Sequence, residues 1–168
     1  MNTGGDDLFS LRNKTFLITG GTRGIGLAIS LRFARSGASV FANYLRDEKS
    51  AQSLEAIARE ERLAITLCRA DLTTERGLEQ LGQSLDQSGP QLSGFVHCAA
   101  TGIHRPVEEL TERHFDWTFN LNLRVFFKLV KLLMARFTAG SSIVAVSSWG
   151  ALRAPSKLFT GWLVQRWA

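Results

Sequence analysis

Along the chain, short and uniformly apolar runs alternate with longer stretches of helical period. The run KTFLITGG ends in glycines, and IGLAISLRFARSG follows with Ile25, Ala28, Ile29 and Phe33 on one side of a helix that Gly37 stops. SVFANY predicts a second strand, and the charged stretch from about Asp47 to Glu61 a second helix. AITLCRA is the third strand and Thr74 to Gln87 the third helix. SGFVHCAA is the fourth strand, one long helix is predicted from Thr111 to Phe137, and SSIVAVSS is the fifth strand. Strands this apolar leave no solvated face, so the alternation predicts a parallel sheet covered by helices on both sides.

The right-handed crossover rule makes that sheet a doubly wound α/β fold of Rossmann type over residues 14–148. A flexible polar arm is expected over 1–13 and an aberrant tail over 149–168, where WGALRAPSKLFTGWLVQRWA carries no clear strand or cap signal. The 168 residues are 45% hydrophobic and 21% charged, the composition of one soluble globular domain. No apolar run approaches the roughly 18 residues of a membrane span, and the start lacks the basic-then-apolar order of a signal peptide, so a cytoplasmic location is expected. Cys68 and Cys98 fall in strand-like runs and are expected as buried thiols without a disulfide; no metal-ligand spacing exists.

The net charge of +5 is spread without a Lys/Arg run, which argues against a nucleic-acid partner. Arg124, Lys128 and Lys131 share one face of the long helix. A solvated face is the plain expectation, and docking of an acidic protein or cofactor the alternative.

TGGTRGIG, Thr19 to Gly26, sits between the first strand and first helix. There glycines let the backbone approach a pyrophosphate and the helix N-terminus offers N–H groups. The second strand ends ANYLR, with no acid before Asp47 to accept a ribose 2′-hydroxyl. Arg46 and Arg23 can instead neutralise a 2′-phosphate, so NADPH is expected over NADH. The alternative leaves both arginines merely facing solvent.

The spacing Thr-Gly, three residues, Gly-x-Gly resembles that of the short-chain dehydrogenase/reductase family, and the likeness runs from about Lys14 to Ser148. It implies that Gly20, Gly24 and Gly26 line the pyrophosphate and that Asp71 of ADL bonds the adenine. Thr19, Thr22, Ile25, Leu72 and Ala99 are expected as further cofactor contacts, beside Arg23 and Arg46. Where the family has Asn-Asn-Ala-Gly, this chain has HCAA, His97 to Ala100. His97 is expected to replace one of the family's hydrogen bonds, and the Cys98 side chain is not.

AATGIHRPVEELTERHFDWTFNLNLRVFF resembles, more narrowly, the NADPH-dependent enoyl-acyl-carrier-protein reductases within that family. The resemblance implies reduction of the 2,3 double bond of an acyl chain held on acyl carrier protein, by a homo-oligomer when intact. It makes Asn122 the helix asparagine that holds a water in the proton relay, against the plain expectation of an ordinary polar helix residue. Ser148 becomes the active-site serine that assists a tyrosine. A 3-oxoacyl or ketone substrate, and a non-catalytic nucleotide-binding protein, stand as alternatives.

The same resemblance places the tyrosine at 158 and a lysine at 165, where this chain has Leu158 and Gln165. Its single tyrosine, Tyr44, lies in the cofactor strand. Synonymous codons exist for Lys157 to Ala168 that, read one base later, put Tyr in slot 158 and Lys in slot 165. The expectation is a frame shift between about Trp149 and Lys157, an inactive copy, and a fold incomplete at its C-terminus, short of the roughly 200 to 250 residues usual for such domains. The fifth strand is then an exposed apolar edge and the product poorly soluble.

Overall fold

A computed structural model describes residues 9–87, 91–103 and 105–148. The tail expected over 149–168, with positions 158 and 165, lies outside the described residues, as do residues 1–8 of the N-terminal arm.

Five strands alternate with helices: β1 (Thr15–Thr19), α1 (Gly24–Arg35), β2 (Ser39–Tyr44), α2 (Glu48–Glu60), β3 (Ile65–Arg69), α3 (Glu75–Gln87) and β4 (Leu92–His97). Then come α4 (Glu112–Phe119), α5 (Val125–Leu133) and β5 (Phe137–Ala145). The strands form one sheet in the order β3-β2-β1-β4-β5, all neighbours parallel. β1 sits at the centre, with Leu17 opposite Phe41 on one side and Phe95 on the other.

Alternation of side chains along the strands sends apolar residues to both faces. Leu17, Phe41 and Phe95 pack with Leu78, Leu81 and Leu85 of α3 and with Val125, Leu129 and Leu133 of α5. Ile18, Val40 and Val96 pack on the other face with Ile29, Phe33 and Ala34 of α1. Each fully buried leucine contributes about 2 kcal/mol by leaving water, and it is the period of these positions that fixes which helix covers which face.

Two elements differ from the sequence expectation. The helix expected as continuous from Thr111 to Phe137 is interrupted: α4 runs into a π-helical segment, Asn120–Arg124, before α5 resumes, and a 3₁₀ turn, Met134–Arg136, closes it. A π segment takes an extra residue into the turn, which rotates the apolar face of α5 onto the sheet while α4 keeps Phe115 and Trp117 exposed. β5 begins at Phe137, four residues before the expected Ser141, because it crosses a bulge: Leu92 faces Phe137, whereas Gly94 faces Ser142. Gly140 takes φ 87 within the bulge, and Ser141 Oγ donates to Leu92 O at 2.7 Å, satisfying a carbonyl the bulge would otherwise orphan. Among the described residues β5 pairs with β4 alone, and Ile143 and Val144 are 42% and 49% exposed.

Candidate functional site

Parallel strands bring all their C-terminal ends to one edge, and a continuous set of short-range bonds joins the loops there. The turn after β1 is held in left-handed backbone at Gly20 (φ 63) and Gly24 (φ 55). A Cβ on Gly26 would lie 2.1 Å from Gly20 O, so α1 approaches the turn as closely as a backbone without a side chain permits. Ser30, buried in α1, donates Oγ to Gly21 O at 2.9 Å. Gly21 N donates to Asn43 O at 2.9 Å, and buried Asn43 donates Nδ2 to Cys68 O and Ala70 O at 3.1 and 3.2 Å. Sequence reasoning missed Ser30 and Asn43; the available signal was a polar residue inside an otherwise apolar face or strand.

Leu27 N is bonded to Arg23 O at 3.1 Å as α1 begins, and Arg23 makes no side-chain cap. The first-turn N–H groups have no partner within the helix, no acid stands among them, and their field favours an anion. Thr22 is buried beneath this turn, while Arg23, Gly24 and Ile25 face solvent.

On the β4 side, Thr19 Oγ1 accepts from the N–H groups of Cys98 and Ala99, each at 3.2 Å. Both lone pairs being taken, its proton goes to His97 Nδ1 at 2.9 Å. His97 is therefore neutral with its proton on Nε2, a buried atom without a hydrogen-bond partner among the described residues. Burial pushes its pKa down to about 4, and the Leu121 backbone, close to the ring but outside full hydrogen-bond geometry with Nε2, opposes the shift. His97 thus makes a hydrogen bond of the kind the sequence suggests, and Cys98 contributes only its backbone. Cys98 lies one residue past β4 and is half-buried, unlike the buried strand position expected; Cys68 is buried in β3, and burial raises both thiols, Cys68 to about 11. Ala99 packs against the glycine turn, its Cα 3.1 Å from where a Gly20 Cβ would stand.

After β3, Asp71 Oδ1 accepts from Thr73 N at 3.0 Å and Thr73 Oγ1 at 2.6 Å, and Leu72 is buried. Gly77 of α3 repeats the close approach of Gly26: its Cβ would lie 1.9 Å from Asp71 O. A cavity of about 310 Å³ opens here, lined by Leu45, Arg69, Ala70, Asp71, Thr74 and Gln80 among others. Arg46 is exposed just past β2. Tyr44 donates its hydroxyl to Glu48 at 3.3 Å, and burial, with Glu48, raises its pKa.

On the far wall, Asn122 lies in the π segment and clamps the loop after β4: Thr101 N donates to its Oδ1, and its Nδ2 donates to Thr101 O, both at 2.9 Å. Val146 N donates to His97 O at 2.9 Å, which carries the chain past β5 to half-buried Ser148. The site residues expected from sequence therefore all lie at the C-terminal edge, with Thr19, Gly20 and Ala99 in contact, while Asn122 meets Thr101. Of the basic helix face, Lys128 pairs with Glu75 and Lys131 lies 5.7 Å over the Phe127 ring. Among the described residues no group of His, Cys, Asp and Glu has metal-ligand geometry, and no helix is long and apolar enough to cross a membrane.

A family model described as short chain dehydrogenase matches residues 14–160. The chain is 36% identical over 140 residues to "hydroxynaphthalene reductase-like protein Arp2" of Metarhizium majus, a match covering 83% of this chain and 52% of that protein. It is 33% identical over 143 residues to "1-cyclohexenylcarbonyl-CoA reductase" of Streptomyces collinus, covering 85% and 51%. A short chain dehydrogenase from Burkholderia cenocepacia, solved in complex with NADP, superposes with a TM-score of 0.83 at 26% identity over 92% of this chain and 62% of that one. The chain spans about half the length of the curated relatives it matches.

Proposed function

The chain belongs to the short-chain dehydrogenase family, and on that premise we propose that it derives from an NADPH-dependent reductase of 2-enoyl chains held on acyl carrier protein. The observation that carries the cofactor part is the cradle between β1 and α1: Gly20 and Gly26 leave room only for backbone, the first-turn N–H groups are uncapped, and Arg23 is exposed beside them. That donor set fits a dinucleotide pyrophosphate. Thr19, Gly20, Thr22, Arg23, Gly24, Ile25 and Gly26 would hold it, Arg46 with Arg23 the 2′-phosphate, Asp71 and Leu72 the adenine, and Ala99 the adjoining wall. The cavity beside Asp71 supports the adenine position.

NADPH, when bound, supplies the hydride. The chain's own residues then have to meet charge developing on the substrate's carbonyl oxygen. Ser148 donates a hydrogen bond there. Asn122, with one amide hydrogen and one lone pair beyond its Thr101 clamp, holds a water of the proton relay. The family's phenol and ammonium slots hold Leu158 and Gln165, so NADPH binding without turnover is the expected behaviour of this chain. The intact relative is a cytoplasmic homo-oligomer.

The name of the Streptomyces relative, a reductase of an unsaturated CoA thioester, supports the enoyl-thioester reading. The name of the Metarhizium relative supports a second reading, a ketone-type aromatic substrate. The discriminating experiment is NADPH titration followed by assay with crotonyl thioester and with a cyclic ketone, for the chain as it is and for a gene with the frame restored after Ser148. Binding by both, and crotonyl turnover by the restored gene alone, is expected. Turnover by the present chain sinks the inactivity claim; ketone turnover alone shifts the substrate class; codons at 158 and 165 that cannot read Tyr and Lys one base later sink the frame shift.

A further inference from the structure

The first acid after β2 is Asp47, which follows Arg46 directly and caps α2. Both of its carboxylate oxygens are engaged by one residue: Oδ1 accepts from Ser50 N at 3.0 Å and Oδ2 from Ser50 Oγ at 2.8 Å. The turn that brings it round is closed by Glu48 N donating to Arg46 O at 2.9 Å. These bonds, first from the Ser50 backbone and then its hydroxyl, hold the Asp47 carboxyl below the usual range, and the charge of Arg23 across the turn adds to them. Arg23 and Asp47 are thus electrostatic neighbours even though they come from different loops.

We propose that Ser50 is a positioning residue for cofactor choice, which keeps both oxygens of the Asp47 carboxylate engaged at the start of α2, so that neither Arg23 nor Arg46 is drawn into an ion pair with it. The inference rests on the NADPH reading above. Once the hydroxyl is lost, one carboxylate oxygen has no partner and the side chain can turn. Arg23, whose charge already acts on this carboxylate, would then be drawn from the phosphate. Where the carboxylate faces the ribose directly, it repels a 2′-phosphate and accepts a 2′-hydroxyl, which is the arrangement that favours NADH. The same acid is therefore harmless or discriminating according to a hydroxyl three residues further along the chain.

The test is fluorescence titration of the full chain and its variants with NADPH and with NADH, read as the ratio of the two affinities. Ser50→Ala is expected to shift that ratio about fivefold toward NADH, the scale of one screened charge contact. Ser50→Thr, which keeps the hydroxyl, and the double variant Asp47→Asn/Ser50→Ala, which removes the charge, are expected to hold the parent ratio. A merely structural cap predicts equal loss for both cofactors in Ser50→Ala, and that result, or an unchanged ratio, overturns the inference. A parent chain that binds NADH as well as NADPH overturns the cofactor reading itself, and this inference with it.

Discussion

Around the β1–α1 turn, polar groups are satisfied by neighbours from the same wall: Ser30 on Gly21, Gly21 on Asn43, Asn43 on the end of β3, and Thr19 on three partners from the β4 end. The wall made by β5 and the α4–α5 helix is tied by the β4–β5 ladder, the Asn122–Thr101 clamp, the Val146–His97 and Ser141–Leu92 bonds and the Lys128–Glu75 pair, and its outer strand leaves Ile143 and Val144 exposed. The first wall is fixed by close approach and hydrogen bonds, whereas the second rests mainly on the packing of Val125, Leu129 and Leu133 against the sheet. Changes in the first should therefore act on folding and cofactor binding together, and changes in the second should separate them.

The largest effect is expected at Gly26. With Gly20 O 2.1 Å from the added atom, Gly26→Ala should cost about 3 kcal/mol or more and abolish NADPH binding, read by urea unfolding and titration. Gly24→Ala, where an added Cβ meets nothing within 4 Å but φ is 55, should cost only about 1 kcal/mol. Equal costs would break the picture of a turn locked by approach.

The next effect is one of pH. His97 titrates near 6.5 in the unfolded chain and is pushed down to about 4 in the fold, so its neutral form is the folded one. Stability is then full above pH 6.5 and falls as the unfolded chain takes up the proton between 6.5 and 4, by about 3 kcal/mol at most. Urea midpoints measured across that window should drop, and His97→Asn should flatten the drop; an unchanged slope in that variant would remove His97 from the wall.

Asn122→Ala should cost about 1 to 2 kcal/mol by orphaning the Thr101 backbone, with NADPH affinity kept, because the loss falls on the second wall; a parallel loss of NADPH binding would merge the two. The smallest thermodynamic effect is expected for Val144→Lys, within about 0.5 kcal/mol. Its readout is the soluble fraction, which should rise as the apolar edge is charged.

The strands, the parallel covered sheet and the glycine turn were legible because uniformly apolar runs and a Gly-rich strand-to-helix junction each admit few physical readings. The π segment was not, since Asn120-Leu-Asn122 carries the same apolar spacing as a straight helix and only the Thr101 backbone explains the extra residue. Nor was the early start of β5: Thr138 to Gly140 carries no strand pattern, and the bulge that joins it to the strand is set against Leu92 and Gly94 far away in sequence. Asp47 was visible as an acid near the cofactor strand, but its engagement by Ser50 is a matter of rotamer, which no pattern of letters records.

Gly26 and Gly77 hold the same place, the third residue of α1 and of α3, each pressed against a carbonyl of the turn before it. In a saturation library the tolerance profile of these two helices would share one feature unrelated to hydrophobicity: a single column at the third helical position with no accepted alternative. The preceding column in α3, exposed Arg76, would accept most residues.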